Sequence, residues 1–348
     1  RFGFKSRGLG DVYKRQVLFH YFFVYAELYG HQARWSVGWA YWGQFGVHLF
    51  FMISGFVIFW TLQRCRRPLD FVVSRFARLY PVYWAAGVVT FTCVAVFGLA
   101  GRELDPVAAL LNLSMIQEYF GVPHLDGDYR TLTVEVTFYA LMLLLFVTKQ
   151  LKHLEVWMMG FMLLAAGHAL EVVPLPALAA TLLILEHIHL FAAGICFFQI
   201  WRRQQSVITY AVLGLSFAVN ILYYPGRDFV VFMGHYAVFA LLVVSGLAPL
   251  RWKPLIFLGT ISYPLYLVHQ NVGYIVIREL GEIGLPALAA VVGAIGLSIG
   301  LSTGLSFWVE RPARRALRQA YDRRRQAREG RRSRETVPLE AVAEALEP

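Results

Sequence analysis

Residues 43 to 62 read GQFGVHLFFMISGFVIFWTL, a stretch without one Asp, Glu, Lys or Arg. A hydrocarbon core about 30 Å thick is crossed by roughly 20 apolar residues of α-helix, which gains about 1.5 Å per residue and satisfies its own backbone hydrogen bonds. The run ends at Arg64-Cys65-Arg66-Arg67-Pro68, a basic break. The segment therefore has the length and the ending of a membrane helix. Comparable apolar runs lie at about 17 to 29, 80 to 100, 130 to 148, 155 to 173, 180 to 200, 207 to 223, 229 to 248, 255 to 277 and 285 to 309. Asp126-Gly127-Asp128 and Pro225-Gly226-Arg227-Asp228 are among the polar breaks between them and read as loops.

Composition agrees. The 348 residues are 58% hydrophobic and 16% charged, with a mean hydropathy of +0.54, whereas soluble domains carry about 25% charged residues. The sequence predicts an all-α, polytopic transmembrane bundle of about ten spans, with no room for a large soluble domain. The net charge of +10 sits in short Arg runs beside apolar segments and in the tail. That pattern suits anionic lipid head groups rather than nucleic acid. Cys65, Cys93 and Cys196 have no metal or redox spacing and read as small packing residues.

Lys and Arg accumulate on the cytoplasmic side of membrane proteins. With the first loop external, the even-numbered loops hold Arg64, Arg66, Arg67, Arg75 and Arg78, then Lys149 and Lys152, Arg202 and Arg203, and Arg251 and Lys253. The others hold Arg34, Arg102, Arg227 and Arg278, with Arg130 at a helix border. Ten spans with both termini cytoplasmic fit the alternation. Residues 17–312 then form the membrane domain, and residues 313–348 an Arg-rich cytoplasmic tail. The tail reads as an amphipathic helix on anionic lipid or as a solvated, topology-fixing segment. The apolar run Val17 to Tyr29 is only about 20 Å long as a helix, and Asp11 to Gln16 are too polar to complete it. Residues 1–16 are expected to be a truncated or non-native start.

Ionisable groups inside a span cost about 3 kcal/mol or more and ask for an explanation. His20, between Phe19 and Tyr21, has the residue type of a general base; the alternative is a helix-to-helix hydrogen bond. Glu135 can orient an imidazole or receive a proton, or form a structural ion pair with Arg130. Arg75 and Arg78, three residues apart, present two guanidinium forks on one helix face, suited to phosphates of coenzyme A or of lipid. Pro264 is expected to loosen its helix so that Ser262, Tyr263, Tyr266 and His269 line a polar cavity; simple interhelical bonding is the alternative. Glu186, His187 and His189 form a further cluster, too sparse in convergent ligands to argue for a metal.

Six segments in order resemble the acyltransferase-3 family of multi-pass membrane proteins, which O-acylate sugars of surface glycans. They are Leu18-Phe19-His20-Tyr21, Gly46 to Phe56, Arg75-Phe76-Ala77-Arg78-Leu79-Tyr80-Pro81-Val82-Tyr83-Trp84, Leu132-Thr133-Val134-Glu135 with Phe138-Tyr139, Gly259 to His269, and Glu310-Arg311-Pro312. The family's first-helix histidine falls on His20, its arginine pair on Arg75 and Arg78, and its conserved glutamate on Glu135. Two departures stand out: Leu9 occupies the position of a family arginine, and Gly46-Val47-His48 replaces a Gly-Val-Asp pattern.

The resemblance implies a multi-pass enzyme of the bacterial inner membrane, with membrane lipids as its surroundings. It would move an acyl group, acetyl by expectation, from acyl-CoA to a carbohydrate hydroxyl without a metal. Arg75 and Arg78 would hold the donor's phosphates. His20, oriented by Glu135 or another polar neighbour, would deprotonate the hydroxyl or accept the acyl group first. Tyr263, Ser262 and His269 would bind substrate, with Tyr263 near the developing oxyanion. The rival readings are a transporter or flippase for a lipid-linked saccharide and a membrane sensor without turnover.

Overall fold

The computed structural model describes residues 17–30, 40–246 and 252–344, and the side chains of residue 227, of residue 328 and of residues 330–344 are outside that description. The expectation about residues 1–16 lies outside the described residues. Within them the chain is helical, with no strand. The helices are α1 (Val17–Tyr29), α2 (Ala40–Leu62), α3 (Pro68–Phe97), α4 (Pro106–Asn112), α5 (Gly127–Val147), α6 (Leu154–Ala169) and α7 (Ala177–Leu182). They continue as α8 (Ile188–Trp201), α9 (Val207–Tyr223), α10 (Arg227–Val244), α11 (Lys253–Glu282), α12 (Ala287–Gly304) and α13 (Arg311–Glu344).

Among the described residues every apolar run falls mainly on helix, with two boundaries displaced. The run expected from about residue 80 begins at Pro68, because proline fits the first helical turn and Asp70 Oδ2 accepts the Arg67 amide at 3.1 Å. Arg75 and Arg78 therefore lie inside a long helix rather than in a loop. The run from 180 to 200 breaks into α7 and α8 around residues 183–187, where Ile184 takes a left-handed φ of 47°. Four helices, α2, α3, α5 and α12 with its continuation, are long and apolar enough to cross a membrane. Large apolar side chains such as Val88, Leu144, Val230, Val244 and Val292 point outward. A surface of that kind fits lipid, not water.

Two glycines set the tightest crossing. A Cβ on Gly55 of α2 would run into the Phe191 carbonyl of α8, and one on Gly194 of α8 into the Met52 carbonyl of α2. Hydrogen side chains let the two backbones touch, as small residues do between membrane helices. From Ile188 to Gln199 every residue of α8 is buried, so this short helix is the centre of one half of the bundle. Helices α3, α11, α12 and α13 pack as the other half, and α5 lies between, touching both α2 and α3.

Two π-turns interrupt the regular helices. In α1 the Tyr25 amide bonds to the His20 carbonyl, five residues back, and Leu305–Glu310 forms a second π-turn joining α12 to α13. Such turns add a residue to the helical circuit and re-aim side chains. His20 opens the first and Glu310 closes the second. The expected boundary at Pro312 thus falls within a nearly continuous helix that folds back on α3, where the Tyr321 hydroxyl donates to Asp70 Oδ1 at 2.6 Å.

Gly194→Val is expected to lower stability by about 1–3 kcal/mol through overpacking, read as a lower melting temperature of the detergent-purified protein. Gly160→Val, where a Cβ meets open space, should melt close to the unsubstituted protein. Equal melting of the two variants would refute the close crossing.

Candidate active site

The site begins with the position of α1 on α11. Tyr21 lies flat over Gly273, where any Cβ would strike the phenol ring. Its hydroxyl donates to the His269 carbonyl at 2.6 Å and meets Ser298 Oγ of α12 at 2.8 Å. With Tyr21 fixed, its neighbour His20 at the π-turn is brought against His269, Nδ1 to Nε2 at 3.0 Å. Both imidazoles are buried.

Asp128 completes the group. Its Oδ1 lies 3.5 Å from His20 Nε2, and its Oδ2 lies 3.3 Å from His269 Nε2. The network assigns the tautomers. His269 Nδ1 is 3.0 Å from the Leu265 carbonyl and 3.1 Å from that of Tyr266, so it carries the proton. His269 Nε2 therefore accepts from His20 Nδ1, and His20 Nε2 is left as the basic nitrogen, beside a carboxylate. Within the trio one N–H is thus shared between the imidazoles, and the Asp128 carboxylate faces the Nε2 atom of each ring.

The loop before α5 is held rigidly to α11. The Tyr129 hydroxyl donates to the Leu267 carbonyl at 3.1 Å, the Tyr266 hydroxyl to the Asp128 carbonyl at 2.7 Å, and the Asn271 amide to Asp126 Oδ2 at 3.1 Å. Burial pushes the Asp126 carboxyl up to about 7, against the opposing pull of the Asn271 and Asp128 amides. The carbonyl that Pro264 cannot bond, that of Thr260, accepts from Ser306 Oγ at 3.4 Å. The loosened turn is thus stitched to the second π-turn.

A second polar station lies along the same two helices. Glu135, Arg75, Arg78, Tyr139, Tyr263 and Ser54 line a narrow cavity of about 40 Å³. Glu135 Oε1 accepts from Ser54 at 3.3 Å and from Tyr139. Arg75 lies over the rings of Phe71 and Tyr139, 5.9 Å from each. Arg78 pairs with Glu310 and sits 5.7 Å over the Tyr263 ring. Asp128 and Glu135 are about 10 Å apart along α5, and His269 and Tyr263 about 9 Å apart along α11. One pair of helices therefore displays both stations.

The sequence-derived candidates divide between them. His20 and His269 meet in the first; Glu135, Arg75, Arg78 and Tyr263 line the second. Arg130, considered as a partner for Glu135, pairs with Glu118 at 3.2 Å. Ser262 donates to the Gly259 carbonyl of its own helix at 3.0 Å. Asp128 was hidden in an Asp-Gly-Asp run that reads as a turn, and the signal that could have found it is a carboxylate directly before a span. His20, Asp128 and His269 are also the group, among the described residues, whose ligand atoms lie within 4.8 Å of one another and could hold a metal ion.

Over residues 17–307 the chain matches the family model described as an acyltransferase domain, Acyl_transf_3. It is 28% identical over 299 residues to the exopolysaccharide production protein ExoZ of Rhizobium meliloti (strain 1021), covering 78% of this chain and 89% of that protein. No solved structure matches.

Asp128→Asn and His269→Ala are each expected to lower turnover by about 10²–10⁴-fold, the usual worth of general base catalysis, well beyond the loss that their lowered melting temperature accounts for. Gly273→Ala should cause a loss of the same kind by displacing Tyr21 and His20. Full activity in Gly273→Ala would separate the seat of Tyr21 from the chemistry.

Proposed function

The chain belongs to the acyltransferase-3 family, and from that premise we propose that it transfers an acyl group, acetyl in the simplest case, from acyl-CoA to a hydroxyl of a cell-surface or lipid-linked carbohydrate. The reading is supported most by one observation, the trio of His20, His269 and Asp128, with one basic nitrogen held in a defined tautomer beside a carboxylate.

The acceptor hydroxyl gives its proton to His20 Nε2 as its oxygen bonds to the thioester carbonyl carbon. Asp128 stabilises the imidazolium so formed, while His269 holds the ring by accepting from Nδ1. The carbon–sulfur bond then breaks, and the proton passes to the departing sulfur. The products are an ester and the free CoA thiol. Arg75, with Arg78 beside it, receives the donor's phosphates, and Glu135 with Tyr139 fixes the wall on which Arg75 rests. A donor anchored at the arginines has to extend its thioester about 10 Å along α5 and α11 to reach His20. The arginine end faces the cytoplasm by the distribution of basic loops. A bacterial inner membrane, lipid on all sides and a carbohydrate arriving at the other end complete the reading. ExoZ, by its name a protein of exopolysaccharide production, fits an acceptor of that class.

Purified protein should release CoA from acetyl-CoA when a glycan acceptor is added. His20→Ala should stop release, and Arg75→Ala should raise KM for the donor more than it lowers kcat. Unchanged turnover in His20→Ala would remove the mechanism, and saccharide crossing vesicles without acylation would favour a transporter. Chelation with EDTA is expected to leave the rate unchanged. A loss restored by zinc would turn the trio into a metal site.

A further inference from the structure

The second station is larger in charge than its cavity lining. Ser74 Oγ accepts from Arg75 at 2.9 Å and from Arg318 of α13 at 3.3 Å. Glu310 Oε1 takes Arg78 and, at 3.7 Å, Arg314 of α13. Each shared oxygen thus joins one arginine of α3 to one of the terminal helix. The arginines also stand close enough to repel: Arg314 and Arg75 act on Arg78, and Arg314 and Arg75 act on Arg318. Four guanidinium groups, Arg75, Arg78, Arg314 and Arg318, thus stand against three carboxylates, Glu135, Glu310 and, beside Arg318, Asp322. Like charges are not gathered in this way without a cost, and an anion would relieve it.

Two further observations point to a ligand. Arg75 is only 6% exposed and lines the cavity, yet its Nε has no hydrogen-bond partner. The cavity, at about 40 Å³, is too tight for a phosphate chain, whereas Arg314 and Arg318 are part-exposed outside its lining. Phosphates at its rim would lie within reach of all four forks.

We infer that Arg314 and Arg318 complete, with Arg75 and Arg78, a seat for the phosphate groups of a nucleotide-bearing thioester. The folding back of α13 on α3 is therefore part of donor binding. The inference rests on the acyl-CoA reading above. Guanidinium forks suit phosphate oxygens in pairs, and four of them match a diphosphate plus a further phosphate better than a single lipid head group.

The test is calorimetric binding of CoA, 3′-dephospho-CoA and pantetheine to the full chain in nanodiscs of phosphatidylcholine. The double variant Arg314→Ala/Arg318→Ala should weaken CoA binding about tenfold or more, weaken dephospho-CoA less, and leave pantetheine unchanged. The corresponding double lysine variant should recover part of the loss. Equal weakening of pantetheine would mean that the variant merely disturbs the fold and would overturn the inference. CoA bound as tightly by the double variant as by the unsubstituted chain would overturn it while leaving the donor reading intact. No binding of CoA by the unsubstituted chain would overturn both. In nanodiscs containing phosphatidylglycerol, CoA should still bind; complete displacement by the anionic lipid, with the double variant insensitive to it, would assign the seat to lipid head groups instead.

Discussion

The structure depends on the seat of Tyr21 on Gly273. Helix α1 is short, and the residue that fixes it is a phenol laid against a bare α-carbon, bonded at its far end to the His269 carbonyl. That contact places His20 on His269 across 249 residues of chain. A side chain at residue 273 would lift the phenol and, with it, the imidazole next door. The π-turn that His20 opens adds a residue to this circuit of α1, and Tyr21 and His20 both meet His269 of α11.

Much of this arrangement can be read from the residue sequence, and the part that cannot has a physical reason. Among the described residues the apolar runs lie mainly on helix because hydropathy over about 20 residues is a local property. The start of α3 was misplaced because a basic run reads as a loop, although Pro68 and Asp70 were marks of a helix start. The break between α7 and α8 is marked only by Glu186 and His187, too slight a polar signal to divide an apolar run, and the left-handed turn at Ile184 carries none. His20, His269 and Glu135 stood out as ionisable groups within apolar runs. Asp128 did not, because its role exists only once α5 and α11 are side by side. Ser262 stood out by composition, but its hydroxyl is absorbed by the Gly259 carbonyl.

The placement of charge follows from its cost in a low-dielectric interior. A buried ion pair stabilises little compared with apolar packing, whereas removing one partner is expensive. A bundle that keeps Asp128, Glu135 and Glu310 buried therefore has to arrange partners from several helices around each. Asp128 draws on α1 and α11, Glu135 on α2 and the same helix α5, and Glu310 on α3 and α13. The polar groups proposed for the reaction are the same ones that join these helices.

The two arginines of α3 show how this divides labour within a single helical turn. Arg78 is already neutralised by Glu310, the last residue of a π-turn, and its guanidinium is stacked on Tyr263. One arm of its fork, Nη1, thereby locks α3 to the junction of α12 and α13. Arg75 rests on two aromatic rings and a serine hydroxyl, none of which carries a charge, and its Nε is unbonded. A cation desolvated in this way is held in place by shape and by cation–π attraction, with the Glu135 carboxylate in the same cavity but committed to Ser54 and Tyr139. An arriving anion gains most from such a group, because the cost of ordering and drying it has been met by the fold. The less well paired arginine is thus the one with most to gain from an anion, and the better-paired one fixes the wall beside it while offering the rest of its fork.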